Sequence, residues 1–164
     1  MKRALFLVAL ASVAASVWAR QVVLREDFEK VGCLNWWDEW PTENWEWKYE
    51  LLNWYFKFEG EGGGWAKSLK VVAVRKGETY KVELYTRYDS ATVYWGNQSK
   101  VVPRAGGDWK TAAFAVVMPA DGVAHFHLTV PATTRKFDFD DVCVTRCGVA
   151  VSPASLGRIR ALFR

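Results

Sequence analysis

The sequence predicts an all-β fold, an antiparallel β-sandwich, from three observations. Apolar and polar residues alternate over 80–88 and again over 124–130, as they do in strands that bury one face. Clusters of Gly, Pro and Asp separate such stretches, at 60–64, 106–108 and 119–122. Helical periodicity is nearly absent after the first residues. Many short strands between turns at this spacing are typical of sandwiches and barrels.

Four further stretches are predicted strands, at 69–74, 91–95, 109–118 and 137–144, because each lies between turn signals. Residues 33–59 contain most of the tryptophans and lack a clean period. We therefore predict a long loop there, which leads into a strand near its end.

Residues 1–19 predict a secretory signal peptide. Lys2 and Arg3 form a basic start, 4–15 form an apolar run, and 17–19 resemble a small-x-small cleavage site. The apolar run is shorter than the roughly 20 residues of a membrane helix, and no other apolar stretch approaches that length. We therefore expect an exported protein, secreted, extracellular or periplasmic, without a transmembrane segment.

The rest of the chain predicts one domain followed by a tail. Residues 20–148 are long enough to build one hydrophobic core, and they include a Trp-rich loop at 33–54. Residues 149–164 form a basic, irregularly amphipathic tail. Two alternatives stay open for this tail, a frayed terminus or a segment that docks on a partner or an acidic surface.

Six of the ten tryptophans fall within 36–54, among acidic residues. Residues 26–61 contain ten acidic and three basic residues, a net charge of −7, whereas residues 62–164 contain eight acidic and fifteen basic residues, a net charge of +7. A nucleic-acid-binding protein places its aromatic residues among Lys and Arg. The acidic surroundings therefore argue against nucleic acid as a partner and are compatible with a neutral ligand.

The chain has three cysteines, Cys33, Cys143 and Cys147. Export would permit a disulfide. Because the number is odd, at most one intramolecular bridge forms and one thiol is left over. The sequence leaves open which two cysteines pair and whether the third is buried or joins another chain.

Five motifs follow one another along residues 22–146. In order they are Glu26-Asp27-Phe28-Glu29, a Gly-rich loop into Ala66-x-x-Leu69-x-Val71, Gly77-x-x-Tyr80-x-Val82, a strand with Trp109 and Phe114, and Phe137-x-x-Asp140-Asp141-Val142. This order resembles the jelly-roll, galactose-binding-like carbohydrate-binding modules attached to bacterial xylanases and cellulases. The resemblance implies a jelly-roll sandwich that binds a polysaccharide or oligosaccharide without catalysis, and it assigns Trp109 to a buried strand position.

The resemblance also implies a structural calcium ion where the first and last strands meet. Calcium takes carboxylate and carbonyl oxygens, and two neighbouring acidic clusters would repel each other without a cation. By resemblance we favour Glu29 and Asp141 as ligands, with Asp27 and Asp140 as alternates. The alternative is that these acids are solvated or pair with basic residues.

The alternation also predicts a sugar-binding groove. Sugars present apolar C–H faces that stack on aromatic rings and hydroxyls that need polar partners. If Tyr80 and Phe126 face the core, then Tyr85, Arg87, His125 and His127 face outward, and Tyr94 joins them. Tryptophans from the long loop would wall the groove. The predicted ligand-binding residues are Trp36, Trp37, Trp40, Trp45, Tyr85, Arg87, Tyr94, His125 and His127.

Two other functions compete with sugar binding. An enzyme is disfavoured, because the sequence lacks the common nucleophile and phosphate-loop motifs, and an acidic loop matches a glycosidase pair by chance. The alternative is a structural subunit of a calcium-dependent extracellular filament, tube or surface layer. Residues 21–24 could pair with a neighbour's sheet edge, and the acidic and basic halves suit head-to-tail self-association.

Overall fold

The structure, a computed structural model, describes residues 20–29 and 37–148, and of Trp37 it describes only the backbone. Four features of the sequence analysis lie outside the described residues: the signal peptide predicted at 1–19, Cys33, Trp36 and the tail predicted at 149–164. No helix among the described residues is long and apolar enough to cross a membrane.

The described residues form thirteen β-strands and one three-residue 3₁₀ turn at Thr42–Asn44. The strands are β1 (Gln21–Glu26), β2 (Trp37–Trp40), β3 (Trp45–Glu50), β4 (Asn53–Glu59), β5 (Gly64–Ser68), β6 (Val72–Val74), β7 (Thr79–Tyr88), β8 (Ala91–Trp95), β9 (Gln98–Val102), β10 (Gly106–Val117), β11 (Gly122–Ala124), β12 (Phe126–Val130) and β13 (Lys136–Cys147). This content confirms the all-β prediction.

The strands form two main antiparallel sheets. The six-stranded sheet, called here the larger sheet, has the order β10-β7-β13-β4-β3, and β1 also pairs with β13. The five-stranded sheet, called here the smaller sheet, has the order β2-β5-β12-β8-β9. Strands β6 and β11 form a separate pair. Neighbours in a sheet are mostly distant in sequence, as expected of a jelly-roll sandwich.

The inner faces of the two sheets share one core. The larger sheet contributes alternate residues such as Tyr80, Val82 and Leu84 of β7, all of them buried. The smaller sheet contributes Trp95 and Phe126 in the same way. Residues between them in sequence face outward, so each sheet has one buried and one outer face.

A β-bulge in β13 places two residues that are three apart in sequence, Phe139 and Val142, on the same buried face. The register of β13 against β7 shifts between Asp140 and Cys143, and Asp141 adopts a φ of 48° there. In a regular strand, residues three apart face opposite sides, yet Phe139 and Val142 are both buried. The bulge inserts an extra residue and so brings both side chains to the core.

The long loop predicted over 33–54 is wrong for residues 37–54. This segment forms β2, β3 and the start of β4, and β3 pairs with β4 along its whole length. Trp45 and Trp47 alternate with Glu46 and Lys48, which is the pattern of an edge strand with one buried face. The predicted strand at 69–74 is also shorter than expected, because only 72–74 form β6.

The turn between β3 and β4 is strained. Leu51 and Leu52 have φ of 51° and 69°, and they connect the paired residues Glu50 and Asn53. A two-residue hairpin turn of this kind favours Asn-Gly, because positive φ places a leucine Cβ against the backbone.

We therefore expect Leu51→Asn combined with Leu52→Gly to raise the free energy of unfolding by roughly 1–2 kcal/mol. Both leucines are exposed, so no core contact is lost. Urea unfolding measures the change. An unchanged or lower free energy would show that the leucine side chains stabilise the folded chain in spite of the strained backbone.

Candidate functional site

The outer face of the larger sheet holds a row of charged side chains. Lys57, Asp138 and Arg87 are directly paired across β4, β13 and β7. Glu46 of β3 extends the row on one side and bonds to Lys57. On the other side, the pairing of β10 with β7 shifts register between Gly106 and Lys110, so Trp109 is not paired with a residue of β7. Trp109 then covers this end of the row.

The Arg87 guanidinium is the centre of this face. Its Nε and Nη2 donate to Oδ2 of Asp138 at 3.0 and 2.7 Å, and Nη2 also donates to Oε2 of Glu50 at 3.0 Å. Aromatic rings lie around it, with Cζ 5.0 Å from the ring of Tyr55 and 4.7 Å from that of Trp109. The guanidinium is therefore held by ion pairs and by cation–π contacts together.

Burial and ion pairing have opposite effects on the pKa values of Arg87 and Asp138. Burial alone would lower the pKa of Arg87, but the hydrogen bonds that Arg87 donates to Asp138 and Glu50 outweigh it and raise that pKa above its ordinary value. Asp138 is 0% exposed, and burial raises its pKa although Arg87 partly offsets the rise. Its Oδ1 has no hydrogen-bond partner among the described residues. Arg87 is thus permanently charged and fixed in place.

Tyr85 and a shallow cavity continue this face beyond Arg87. Tyr85 is 43% exposed and points the same way as Arg87, two residues along β7. A cavity of about 280 Å³ lies beside it, lined also by Arg25, Glu83 and Thr111. This arrangement provides an exposed ring next to charged and hydroxyl groups, which suits a ligand with an apolar face and several hydroxyls.

Four other predicted ligand residues, Trp40, Tyr94, His125 and His127, lie on the smaller sheet or directly beside it. Tyr94 and His127 are opposite each other on β8 and β12, and their rings are stacked with centroids 5.0 Å apart. His125 immediately precedes β12, and its ring centroid is 6.3 Å from that of His127. Trp40 is on the edge strand β2. The sandwich core separates these residues from Tyr85 and Arg87. The prediction of one groove containing both sets is therefore wrong, because their strands belong to different sheets.

The tryptophans are divided between core and surface. Trp45 is only 5% exposed and packs against the rings of Phe56 and Phe58, so its predicted role as a ligand platform is wrong. Trp109, predicted to be buried, is half-buried on the outer face beside Arg87. The predicted contributions of Trp36 and the Trp37 side chain lie outside the described part of the chain.

The sequence analysis missed Tyr55 and Glu50 as members of the site. Tyr55 Oη donates to Oε2 of Glu50, and the Tyr55 ring contacts that of Trp109 at 5.4 Å. The signal was present, because Tyr55 and Lys57 alternate with the core residues Phe56 and Phe58. Tyr55 lay in the strand predicted at the end of the loop, whereas Glu50 lay within the predicted loop, so its pairing with β4 was not foreseen.

The four carboxylates predicted to bind calcium lie near the junction of β1 and β13. Asp27 and Glu29 follow β1, and burial, together with the charges of these two carboxylates, raises the pKa of Asp141. Burial raises the pKa of Asp140 to about 6, against hydrogen bonds from Asn53 and the Asp141 N–H. Within 20–29 and 37–148, however, no three carboxylate, His or Cys side chains converge closely enough to hold a metal. The described geometry does not form a calcium site, and calcium stays a prediction.

Calcium binding can be tested by thermal unfolding. If the prediction is right, calcium added after chelation raises the midpoint by relieving repulsion among these acids. Asp141→Asn should then abolish most of the increase, whereas the exposed, distant Asp121→Asn should keep it. The same midpoint with calcium and with chelator would contradict the prediction.

The two histidines predict a weak pH dependence of stability. Burial and the charge of Lys67 lower the pKa of His125, and burial lowers that of His127 in the same way. Below pH 6.5 the unfolded chain therefore binds more protons than the folded one, and the stability that these histidines contribute is lost as the pH falls. Between pH 7.5 and 5.5, wild type should lose more unfolding free energy than a variant with His125→Gln and His127→Gln. Equal losses of unfolding free energy in wild type and variant would contradict the lowered pKa values of the two histidines.

The cysteines show no pairing in the described residues. Cys143 and Cys147 carry free thiols and are half-buried. Cys143 lies in β13 beside the cavity described above. The predicted disulfide would therefore need Cys33, which is outside the described residues.

Comparison with known proteins supports the fold. No protein-family model matches the chain, and no curated protein matches it in sequence. Among solved structures, the chain is similar to the CBM22-1–GH10 modules of Clostridium thermocellum xylanase 10B complexed with xylohexaose (13% identity, TM-score 0.53), over 77% of this chain and 28% of that one. This chain thus spans less than a third of that protein.

Two single modules are matched over nearly their whole length. The BiXyn10A CBM1 module in its apo form gives 13% identity and a TM-score of 0.56, over 76% of this chain and 98% of that one. The CBM22-1 xylan-binding domain of Paenibacillus barcinonensis Xyn10C gives 12% identity and a TM-score of 0.53, over 81% of this chain and 99% of that one. The resemblance found in the motifs is thereby confirmed at the level of fold: the chain has the jelly-roll β-sandwich fold of carbohydrate-binding modules.

Proposed function

We propose that this chain is an exported, non-catalytic carbohydrate-binding module that holds a neutral polysaccharide on the outer face of its larger sheet. The observation that supports this most is the Arg87 guanidinium, fixed between Tyr55 and Trp109 and next to the exposed ring of Tyr85. In this proposal Tyr85 and Trp109 stack against sugar rings. Arg87 positions Trp109 and contributes a polar edge.

The charges of the face favour a neutral ligand. Arg87 is paired with both Asp138 and Glu50, and Lys57 with Glu46 and Glu59. No uncompensated cation is therefore left in this row to attract a polyanion. Among proteins of the same fold, one carries xylohexaose and another is a xylan-binding domain. By analogy of fold, xylan is the first polysaccharide to test.

The same pairing argues against hydrolysis. A glycosidase needs one protonated carboxyl group as acid and one free carboxylate as nucleophile or base. Glu50 is bonded to Arg87, which lowers its pKa, and Asp138 is fully buried on the other side of the same guanidinium. Asp138 is therefore buried away from any glycosidic bond, and Glu50, although half exposed, is held by Arg87 as a carboxylate and supplies no protonated acid.

Titration with xylohexaose, followed by tryptophan fluorescence and light scattering, tests the proposal. The wild-type chain without its predicted signal peptide should show a saturable fluorescence change at constant particle size. Tyr85→Ala or Trp109→Ala should weaken binding roughly tenfold or more, as loss of a stacking ring does. Tyr49→Ala is the matched control, because Tyr49 is similarly exposed but, as the neighbour of Glu50 in β3, faces the other side of the larger sheet.

Two results would contradict the proposal. Equal loss of binding in Tyr49→Ala and Tyr85→Ala would show that the larger-sheet face is not the site. Growth in particle size with calcium, and no response to xylohexaose or to a soluble β-glucan, would favour the structural-subunit alternative.

A further inference from the structure

Strand β10 forms one edge of the larger sheet. It pairs with β7 without interruption from Lys110 to Val117, and it pairs with no other strand in the described part of the chain. Half of its backbone N–H and C=O groups therefore point away from the sheet. Such an edge is a template for pairing with another strand, and proteins usually protect it with charged residues, proline, a bulge or short length.

The end strands β2, β3 and β9 carry this protection, whereas β10 does not. Strand β3 has three charged side chains, β2 is four residues long with two acidic residues, and β9 contains Lys100 and is followed by Pro103. By contrast, residues 111–118 contain no charged residue and no proline, and the pairing of 110–117 with β7 has no bulge. This difference indicates that the edge of β10 has a partner.

The side chains of β10 also suit a neighbouring strand. Ala112 and Phe114 pack against the core but are only half-buried, whereas Val116 is buried. The outer face of the strand carries exposed, mostly small and uncharged side chains, namely Thr111, Ala113, Ala115 and Val117. A strand laid along this edge would cover the Phe114 ring without meeting a charge.

The sequence of β10 is self-complementary in an antiparallel pairing. If a two-fold axis relates two copies at Phe114, this residue lies opposite its own counterpart. The other opposite pairs are then Thr111 with Val117, Ala112 with Val116, and Ala113 with Ala115. Each pair joins side chains of the same face, as an antiparallel ladder requires. Lys110 lies opposite Met118, so no like charges meet, and the two Phe114 rings form a cross-strand aromatic pair.

The contact is large enough for a specific dimer. Eight paired residues span roughly 27 Å at the usual rise per residue. Strand β9, the end strand of the smaller sheet, contacts β10, and its Val101 is 63% exposed. With two sheets about 10 Å apart, each copy would bury roughly 500 Å², which reaches the roughly 1,000 Å² in total that a specific interface needs.

We propose that two copies of this chain associate through β10 into a two-fold symmetric dimer, in which the two larger sheets become one continuous sheet. Because the two-fold axis is perpendicular to this sheet, the two outer faces point to the same side. The dimer then presents two copies of the Tyr85 and Trp109 surface to one polysaccharide. This last consequence rests on the proposed function, whereas the dimer itself does not.

Sedimentation equilibrium without sugar tests the dimer. Wild type without its predicted signal peptide should form a dimer that dissociates on dilution. Ala113→Lys combined with Ala115→Lys places like charges opposite each other and should weaken the dimer about a hundredfold or more. Leu69→Lys combined with Val71→Lys is the matched control and should dimerise like wild type, because both residues are exposed but lie between β5 and β6. Thermal unfolding verifies that each variant is folded.

A charge-reversal experiment identifies the strand. A variant with Ala113→Glu and Ala115→Glu should also be monomeric. Mixed with the lysine variant, it should form dimers that contain one copy of each, because opposite charges then face each other. Hydrogen exchange should be slower at the amides of 111–117 in the wild-type dimer than in the lysine variant.

Four results would overturn the inference. They are a wild-type monomer at every concentration up to the solubility limit, a dimer that the lysine variant retains, open-ended growth into fibres, and protection of the 111–117 amides in a monomer. In the last case another segment of the same chain would cover the edge. None of these results bears on sugar binding. Loss of xylohexaose binding in a chain that still dimerises would overturn the proposed function alone.

Discussion

Replacing Arg87 by alanine is expected to lower the free energy of unfolding by about 3–5 kcal/mol, the usual cost of breaking a buried ion pair from one side. Asp138 has no exposed surface, and the described residues offer its Oδ1 no hydrogen-bond partner. Its Oδ2 depends on two hydrogen bonds from Arg87. Without the guanidinium, a carboxylate would stay buried with most of its compensation removed. Urea unfolding at neutral pH measures the loss.

Two control variants separate charge from packing. Glu50→Ala removes the exposed partner of Arg87 and should cost much less. Arg87→Met combined with Asp138→Leu leaves no buried charge, so it should recover much of the stability that Arg87→Ala loses. If Arg87→Ala costs less than about 1 kcal/mol, the pair behaves like a surface ion pair, and the description of Arg87 as a fixed centre of the site is wrong.

Replacing Trp45 by alanine is expected to cost about 3–5 kcal/mol, as removal of a large buried aromatic side chain does. Its ring is stacked 5.1 Å from that of Phe56 and also contacts Phe58 and Phe139. The surrounding strands are held by their hydrogen bonds and cannot collapse fully into the space that the ring leaves. The loss should appear in both urea and thermal unfolding.

Trp40→Ala is the matched comparison for Trp45→Ala, because Trp40 lies five residues earlier in the same Trp-rich segment. Its exposed ring should contribute no more than about 0.5 kcal/mol to stability. The opposite ranking of the two variants, or loss of sugar binding in Trp45→Ala without loss of stability, would show that Trp45 is a ligand platform after all.

Much of the fold could be predicted because strand alternation is a local property. The pattern around Tyr80, Val82 and Leu84 indicates one buried face without knowledge of any neighbour. The β3 strand was missed for a different reason. Six tryptophans close together suggested a displayed surface, although the alternation of Trp45 and Trp47 with the charged residues Glu46 and Lys48 is the same signal as in β7.

The site could be predicted only in part, because periodicity does not show to which sheet a strand belongs. Tyr85 and Tyr94 both face outward, as expected, yet they point to opposite sides of the molecule. The position of Trp109 depends on a register shift in β10, which leaves no clear mark in the sequence. Such tertiary features decide which outward residues meet.

The central claim, that Tyr85 and Trp109 form a sugar-binding surface around Arg87, is tested most directly by nuclear magnetic resonance of the indole N–H groups in a ¹⁵N-labelled chain. Each signal can be assigned by a Trp→Phe variant. On addition of xylohexaose or a β-glucan oligomer, we predict a saturable shift of the Trp109 signal and none for the buried Trp45 and Trp95. A titration in which the Trp109 signal stays unchanged at saturating ligand would contradict the account.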